Sequence, residues 1–227
     1  MNELNAAPGT QFLLIRHGET QWNLDGRVQG HKDVALTPRG EEQARRLADW
    51  LAHEQLDALY SSDLLRARRT AEIIAAARPE TPAEIRIDPR VREAGMGVFE
   101  GMTAQEMAAS EHAAAYRAWR EDALRNRPPG GETLEDLLRR CMAAVREMVE
   151  GHPGQSIAIV AHGGPVRAMT CGSLGLPMEI YPKLRVENAS VARILFSEKG
   201  PILAGFNDVG HLKTASLAPR HVGWEEK

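Results

Sequence analysis

Lysine and aromatic residues are scarce in this 227-residue chain: five lysines stand against 23 arginines, and Phe, Trp and Tyr together make up 5% of it. Only two cysteines occur, Cys141 and Cys171, and they form no CxxC pair. A disulfide framework is thereby excluded, and both read as buried thiols of a reducing compartment. No apolar run approaches the roughly 18–20 residues of a membrane span. The stretch Met1–Asn5 lacks the basic start and apolar core of a signal peptide, so a cytoplasmic protein with no membrane partner is expected. An excess of positive charge is missing too. With 28 Lys+Arg, 31 Asp+Glu and a net charge of -3, the chain does not look like a nucleic-acid or polyanion binder.

Internal repeats and low-complexity linkers are also absent, which favours one domain. Residues 1–10 and 214–227 read as polar tails, with a single domain over 11–213 and a helical cap segment over about 103–130. Within the domain, strand-like and helix-like segments alternate. The run Phe12-Leu13-Leu14-Ile15 has the continuous apolar character of a strand buried on both faces. Thr37-Pro38 opens a helix, Leu56–Tyr60 reads as a strand, and Asp63 is the expected cap of the helix after it. Thr103–Arg125 reads as one or two helices and Glu132–Glu150 as another. Gln155–Ala161 is the clearest strand, and two β-like runs, Ser190–Phe196 and Ile202–Phe206, end the fold. The alternation predicts an α/β fold in three layers, a mostly parallel central sheet with helices on both faces. The last two runs either end the sheet as an edge or form a homodimer contact; composition is compatible with both.

In such sheets ligands bind beyond the carboxyl ends of the strands. Three strands end there in polar clusters: Arg16-His17-Gly18-Glu19-Thr20, Ser61-Ser62-Asp63 with Arg66 beyond, and His162-Gly163-Gly164. Two histidines and two arginines are thus expected at one edge. No HExxH, HxH or Cys/His zinc spacing accompanies them, so no metal is expected. A phosphate-binding Gly-x-x-x-x-Gly-Lys loop, a Gly-x-Ser-x-Gly elbow and a dinucleotide fingerprint are lacking as well. Cations gathered without a metal call for an anion.

These residues resemble the histidine phosphatase superfamily, also called the phosphoglycerate mutase-like family. The resemblance rests on Arg16-His17-Gly18-Glu19-Thr20, Trp22-Asn23, Gln29-Gly30 and Leu36-Thr37-Pro38-Arg39-Gly40. It continues through Tyr60-Ser61-Ser62-Asp63-Leu64-Leu65-Arg66-Ala67, Val91-Arg92-Glu93, Gly130-Gly131-Glu132-Thr133 and Val160-Ala161-His162-Gly163. It spans about residues 11–212, in the family's order, and looks most like the short bacterial phosphatases of the α-ribazole phosphate, phosphoserine and broad-specificity types.

The resemblance implies phosphoryl transfer in two steps through a phosphohistidine, without a cofactor. His17 would be the nucleophile, Arg16, Arg66 and His162 would hold the phosphoryl group, and Glu93 would give the leaving oxygen its proton. Asn23, Gln29, Gly30 and the Gly163 N–H are the expected secondary substrate contacts. Glu19 is the competing acid by its proximity to His17, and Arg27, Arg68 and Arg69 are candidates for extending the positive pocket. His31 replaces the Trp of many members and is expected either at the pocket rim or in a solvated loop. Met107, Tyr116 and Trp119 either touch substrate or pack the cap.

The expected substrate is a small phosphate ester. Cofactor-dependent mutases carry a longer segment between the acid and the second histidine. The interval here is 162 − 93 = 69 residues, which favours a phosphatase, with a mutase as the alternative. A non-catalytic binding protein on this fold would be expected to lack one of the five core groups, and all five are present.

Overall fold

The computed structural model describes residues 9–78, 84–213 and 217. The expected tails therefore lie largely outside the described residues. In chain order the elements are β1 (Gln11–Arg16), α1 (Gln21–Leu24), α2 (Pro38–Leu51), β2 (Ala58–Ser61), α3 (Leu65–Ala76) and β3 (Ile85–Ile87). Then come α4 (Ala104–Ala109), α5 (Ala113–Glu121), α6 (Leu134–Gly151), β4 (Ser156–Ala161), α7 (Gly163–Leu174), β5 (Val191–Ser197) and β6 (Gly200–Asp208). Short 3-10 turns cover Pro89–Val91, Gly97–Phe99, Met178–Lys183 and Gly210–Leu212.

One six-stranded sheet has the order β3-β2-β4-β1-β5-β6. The first four strands run parallel, and β5 and β6 are antiparallel additions. Alternation along the inner strands explains the layering, because successive side chains leave opposite faces of a strand. Phe12 and Leu14 of β1 join Ile157 and Ile159 of β4 in a core closed by α6 and α7 through Leu137, Val145 and Met169. Leu13 and Ile15 join Ala158 and Val160 in a second core closed by α2 and α3 through Leu47, Leu51, Ala71 and Ile74. These side chains are fully or almost fully buried, and each of the Phe, Leu, Ile, Val and Met residues among them contributes about 1.5–3 kcal/mol. A continuous apolar strand sequence is what such two-sided burial requires.

Local signals set the helix starts. Thr37 caps α2, its Oγ1 accepting from the Gly40 N–H at 3.0 Å, with Pro38 in the first turn. Thr133 caps α6 in a reciprocal box with Asp136. The expectation for α3 needs correction: Leu64, not Asp63, is its cap residue. Asp63 is instead ion-paired with Arg92, and Asp33, from a distant loop, accepts the Leu65 N–H at 2.8 Å. A carboxylate from elsewhere in the chain has taken the capping role. The last helix starts at Gly163, so that His162 is its cap residue.

Pairing in register brings the ends of β1, β2 and β4 together: Arg16 lies opposite Ala161, and Ser61 opposite Val160. His17, Ser62 and His162 each follow directly on one of those paired ends. The three polar clusters thus share one edge.

Candidate active site

The cavity at that edge has a volume of about 960 Å³, and its floor is built by Arg16, His17, Arg66, Glu93, Gly164 and Arg167. His17 is 2% exposed, and its Nδ1 is 2.7 Å from the Gly18 carbonyl oxygen. A carbonyl only accepts, so Nδ1 carries the proton and Nε2 keeps its lone pair. Burial pushes the His17 pKa well below its ordinary value, and the charges of Arg66 and Arg16 push it the same way. The ring is a neutral imidazole at physiological pH, the form that acts as a nucleophile.

The two arginines stay charged. Burial, with neighbouring Arg167 adding to it in the case of Arg16, pulls both down to about 10. Arg66, from the first turn of α3, is completely buried and donates to the Lys32 and Gly30 carbonyls at 2.8 and 2.9 Å. Arg16 donates to the Val186 carbonyl at 2.6 Å, while its buried Nε has no partner. A buried donor without an acceptor is costly and rare. On a residue that lines the cavity, such a donor is placed for an acceptor from outside the chain.

His162 is fully buried, its ring centroid 5.1 Å from that of His17. Arg66 Nε donates to its Nδ1 at 3.1 Å. Nδ1 is therefore the acceptor, and Nε2–H donates to Ser62 Oγ at 2.9 Å. Both ring nitrogens are engaged, and neither His162 nor Gly163 is among the residues lining the cavity. In this arrangement His162 fixes Arg66 from behind.

Glu93 follows the 3-10 turn after β3, and its carboxylate accepts the Gly164 N–H at 3.1 and 3.2 Å and the Ala94 N–H at 2.9 Å. Its backbone carbonyl is held by Arg140 at 2.8 Å and His31 Nε2 at 2.9 Å. A Cβ on Gly164 would lie 2.1 Å from Glu93 Oε1, so glycine at this position lets the carboxylate come close to the helix N-terminus. Asn23 lines the cavity, and its Oδ1 accepts from the Thr20 N–H, Thr20 Oγ1 and Asn188 Nδ2 at 3.0–3.1 Å. That leaves its Nδ2 for a ligand. Gln29 and Gly30 line the cavity as well, while the Gly30 carbonyl supports Arg66.

Other expected residues lie elsewhere. Glu19 is buried but bound by Arg39 at 2.5 Å and Thr37 at 3.1 Å, which makes it a structural carboxylate. Arg68 and Arg69 pair with Glu72 and Glu41. Arg27 does line the cavity, paired with Glu106 at 2.7 Å. His31 sits behind Glu93 and does not line the cavity. Met107 and Tyr116 are core residues, and of the three cap side chains only Trp119 lines the cavity.

Sequence reasoning missed Arg167 and Tyr181. Arg167, one turn into α7, lines the cavity beside Arg16, its Nε donating to the Leu184 carbonyl at 2.6 Å and its guanidinium lying 5.6 Å from the Tyr181 ring centre. Only its spacing of one helical turn from Gly163 could have signalled it.

Residues 12–209 match the family model for the histidine phosphatase superfamily, branch 1. The chain belongs to the histidine phosphatase superfamily. Among curated relatives, the Salmonella typhi protein named "Probable phosphoglycerate mutase GpmB" is 36% identical over 216 residues, 91% of this chain and 97% of that one. Among solved structures, the α-ribazole phosphatase of Shigella flexneri superposes with a TM-score of 0.80 at 31% identity, over 88% of this chain and 96% of its own. A phosphoserine phosphatase variant of Entamoeba histolytica, solved with phosphoserine, gives 0.78 at 29% identity, over 89% and 99%. Phosphatases and mutase-like proteins of this superfamily thus share the whole domain.

Proposed function

We propose that this histidine phosphatase superfamily protein is a phosphomonoesterase working through a phosphohistidine on His17. His17 Nε2 attacks phosphorus and forms an N–P bond as the ester P–O bond breaks, and Glu93 gives its proton to the departing oxygen. Water then attacks the phosphoryl group, Glu93 takes the water proton, the N–P bond breaks, and orthophosphate leaves. A loose phosphoryl transition state needs position and positive charge. Arg16, Arg66 and the Asn23 amide offer both, and His162 with Ser62 keeps Arg66 in place.

The observation that carries this reading is the buried Arg16 Nε without an acceptor, on the residue next to a neutral histidine. The alternative, a phosphoglycerate mutase, is favoured by the names of some relatives. Against it stands the short interval between Glu93 and His162. The experiment is turnover of p-nitrophenyl phosphate, with and without EDTA, by the wild type and His17→Ala. Metal-independent hydrolysis that vanishes in the variant is expected, with an acid-labile phosphoprotein trapped in the wild type. A phosphoglycerate interconversion that depends on a bisphosphate primer and exceeds hydrolysis would favour the mutase. Absence of turnover on any phosphomonoester, with no phosphoprotein, overturns the enzyme reading.

A further inference from the structure

The floor of the cavity accounts for one phosphoryl group, yet the cavity is about 960 Å³, near the top of the roughly 300–1,000 Å³ that holds drug-sized ligands. The remaining volume must suit the rest of the substrate, and its walls say what that is. Val28, Met96, Trp119, Leu124, Leu134 and Met178 all line it. The ionic groups beyond the floor are largely matched by partners of opposite sign. Arg27 faces Glu106 at 2.7 Å, Arg125 faces Asp122 at 3.0 Å, and Glu132 faces Arg140 at 2.8 Å. Arg120, Glu121 and Glu179 also line the cavity, one positive charge with two negative. A second anionic group on the substrate would meet no excess of positive charge in this outer part.

Trp119 is held ready there. Its ring stacks on Tyr116, with centroids 6.1 Å apart and planes at 28°, and Tyr116 meets Phe99 edge-on at 5.9 Å. Phe99 is fully buried and Tyr116 nearly so. The ladder therefore anchors the indole from the core outward. In a chain that is 5% aromatic, one of four tryptophans has been placed half-buried on a cavity wall. Aromatic rings pair best offset-stacked or edge-on, and a ring fixed in advance costs little entropy to use.

Resting on the phosphomonoesterase reading, we propose that the substrate is the phosphate ester of an uncharged, ring-bearing alcohol whose flat ring lies against Trp119. A second carboxylate or phosphate on the leaving group is disfavoured. Arg167 belongs to the floor, beside Arg16, and the anionic arm of the test covers it.

The test compares alkyl esters, so that the demand for a proton from Glu93 stays similar. The wild type is assayed with 2-(1-naphthyl)ethyl phosphate, propyl phosphate, O-phosphoserine and 3-phosphoglycerate, and p-nitrophenyl phosphate with His17→Ala reports separately on the underlying chemistry. The expected kcat/KM for the naphthylethyl ester is at least about tenfold above each of the others. Trp119→Ala should bring its ratio to propyl phosphate within about threefold, mainly through KM, and Trp119→Phe should restore much of it. Binding of the naphthylethyl ester to His17→Ala should quench tryptophan fluorescence, and the added Trp119→Ala change should remove that signal.

Equal turnover of the naphthylethyl and propyl esters overturns the proposal. So does faster turnover of either carboxylated ester, particularly if Arg167→Gln abolishes that preference. Losses of the same factor on all esters in Trp119→Ala, without Phe rescue, would make Trp119 a packing residue and overturn it as well. If p-nitrophenyl phosphate itself is not hydrolysed and no phosphoprotein forms, the phosphomonoesterase reading fails first.

Discussion

Arg66 and Arg125 line the same cavity in contrasting surroundings. Arg66, on the floor, is wholly buried, and its donors meet two backbone carbonyls and a neutral imidazole. Arg125, on the outer wall, has a side chain 76% exposed and faces the Asp122 carboxylate at 3.0 Å. Neutral acceptors orient a guanidinium without cancelling its charge, whereas a carboxylate cancels it and water screens what is left. The floor therefore presents a net positive charge to a ligand, only partly offset by Glu93, and the wall presents almost none. An Arg-rich composition hides this difference, because the two residues are the same letter.

The sharpest way to break that contrast is to remove floor residues. His17→Ala should abolish turnover. Arg16→Ala or Arg66→Ala should lower kcat/KM for p-nitrophenyl phosphate by about 10²–10³, or about 3–4 kcal/mol of transition-state stabilisation, as for the loss of one preorganised donor. Near-normal kinetics in either arginine variant would show that the charge on the floor is not used.

A smaller loss tests the acid through its neighbour. Gly164→Ala puts a methyl group 2.1 Å from where Glu93 Oε1 now lies, so the carboxylate must swing away. The expected result is a loss of about 10²-fold on alkyl phosphates, in the range of a displaced general acid, and much less on p-nitrophenyl phosphate. Equal losses on both would argue that Glu93 transfers no proton.

How far the floor could be read from the sequence depends on what fixes each residue. Arg16, His17 and His162 were legible because each ends or directly follows a buried parallel strand, and the strands' apolar runs, ending abruptly, locate those positions. Arg66 was legible from its place beyond β2 in the Tyr60–Ala67 segment. The failures were tertiary. Asp63 was read as a local cap, but Arg92, 29 residues further on, claims it, and Asp33 reaches α3 from a loop. No local pattern encodes a pairing across such distances. Arg167 and Tyr181 reach the cavity only because the 3-10 turn Met178–Lys183 is packed beside α7, which the sequence does not announce. His162 was placed in the right cluster, and only its hydrogen bonds reveal that it faces Arg66 and Ser62.

Acidification probes the floor more gently. His17 and His162 are both held neutral by burial, with pKa values well below the ordinary 6.5. The unfolded chain protonates them near 6.5 while the folded one does not, so the unfolded state binds more protons below that pH. Stability is thus fully present above about 6.5 and is lost as pH falls toward the folded values, at up to about 1.4 kcal/mol per pH unit for each histidine. Denaturant melts at pH 7.5 and 5.5 should show this loss, and His17→Gln should remove part of it, the rest staying with His162 and the buried His211. Turnover should show no inflection near pH 6.5 from His17 protonation. An inflection there would mean that the ring is more hydrated than its burial implies.

The smallest effect belongs to the wall. Arg125→Ala breaks an exposed pair three residues apart, and water screens pairs of that kind so that they add little to stability. Denaturant melts should be nearly unchanged, as for other exposed surface substitutions, and kcat/KM for p-nitrophenyl phosphate should change by less than about threefold, since the charge lost was already matched. Raising the salt concentration should shrink even that change, because exposed charges are screened within about 10 Å at 0.1 M. The Arg66→Ala deficit should persist in the same salt, as a buried guanidinium is screened far less. If Arg125→Ala cost as much as Arg66→Ala, the guanidinium on the wall would have to reach the phosphoryl group. The division of the cavity into a charged floor and a neutral wall would then fail.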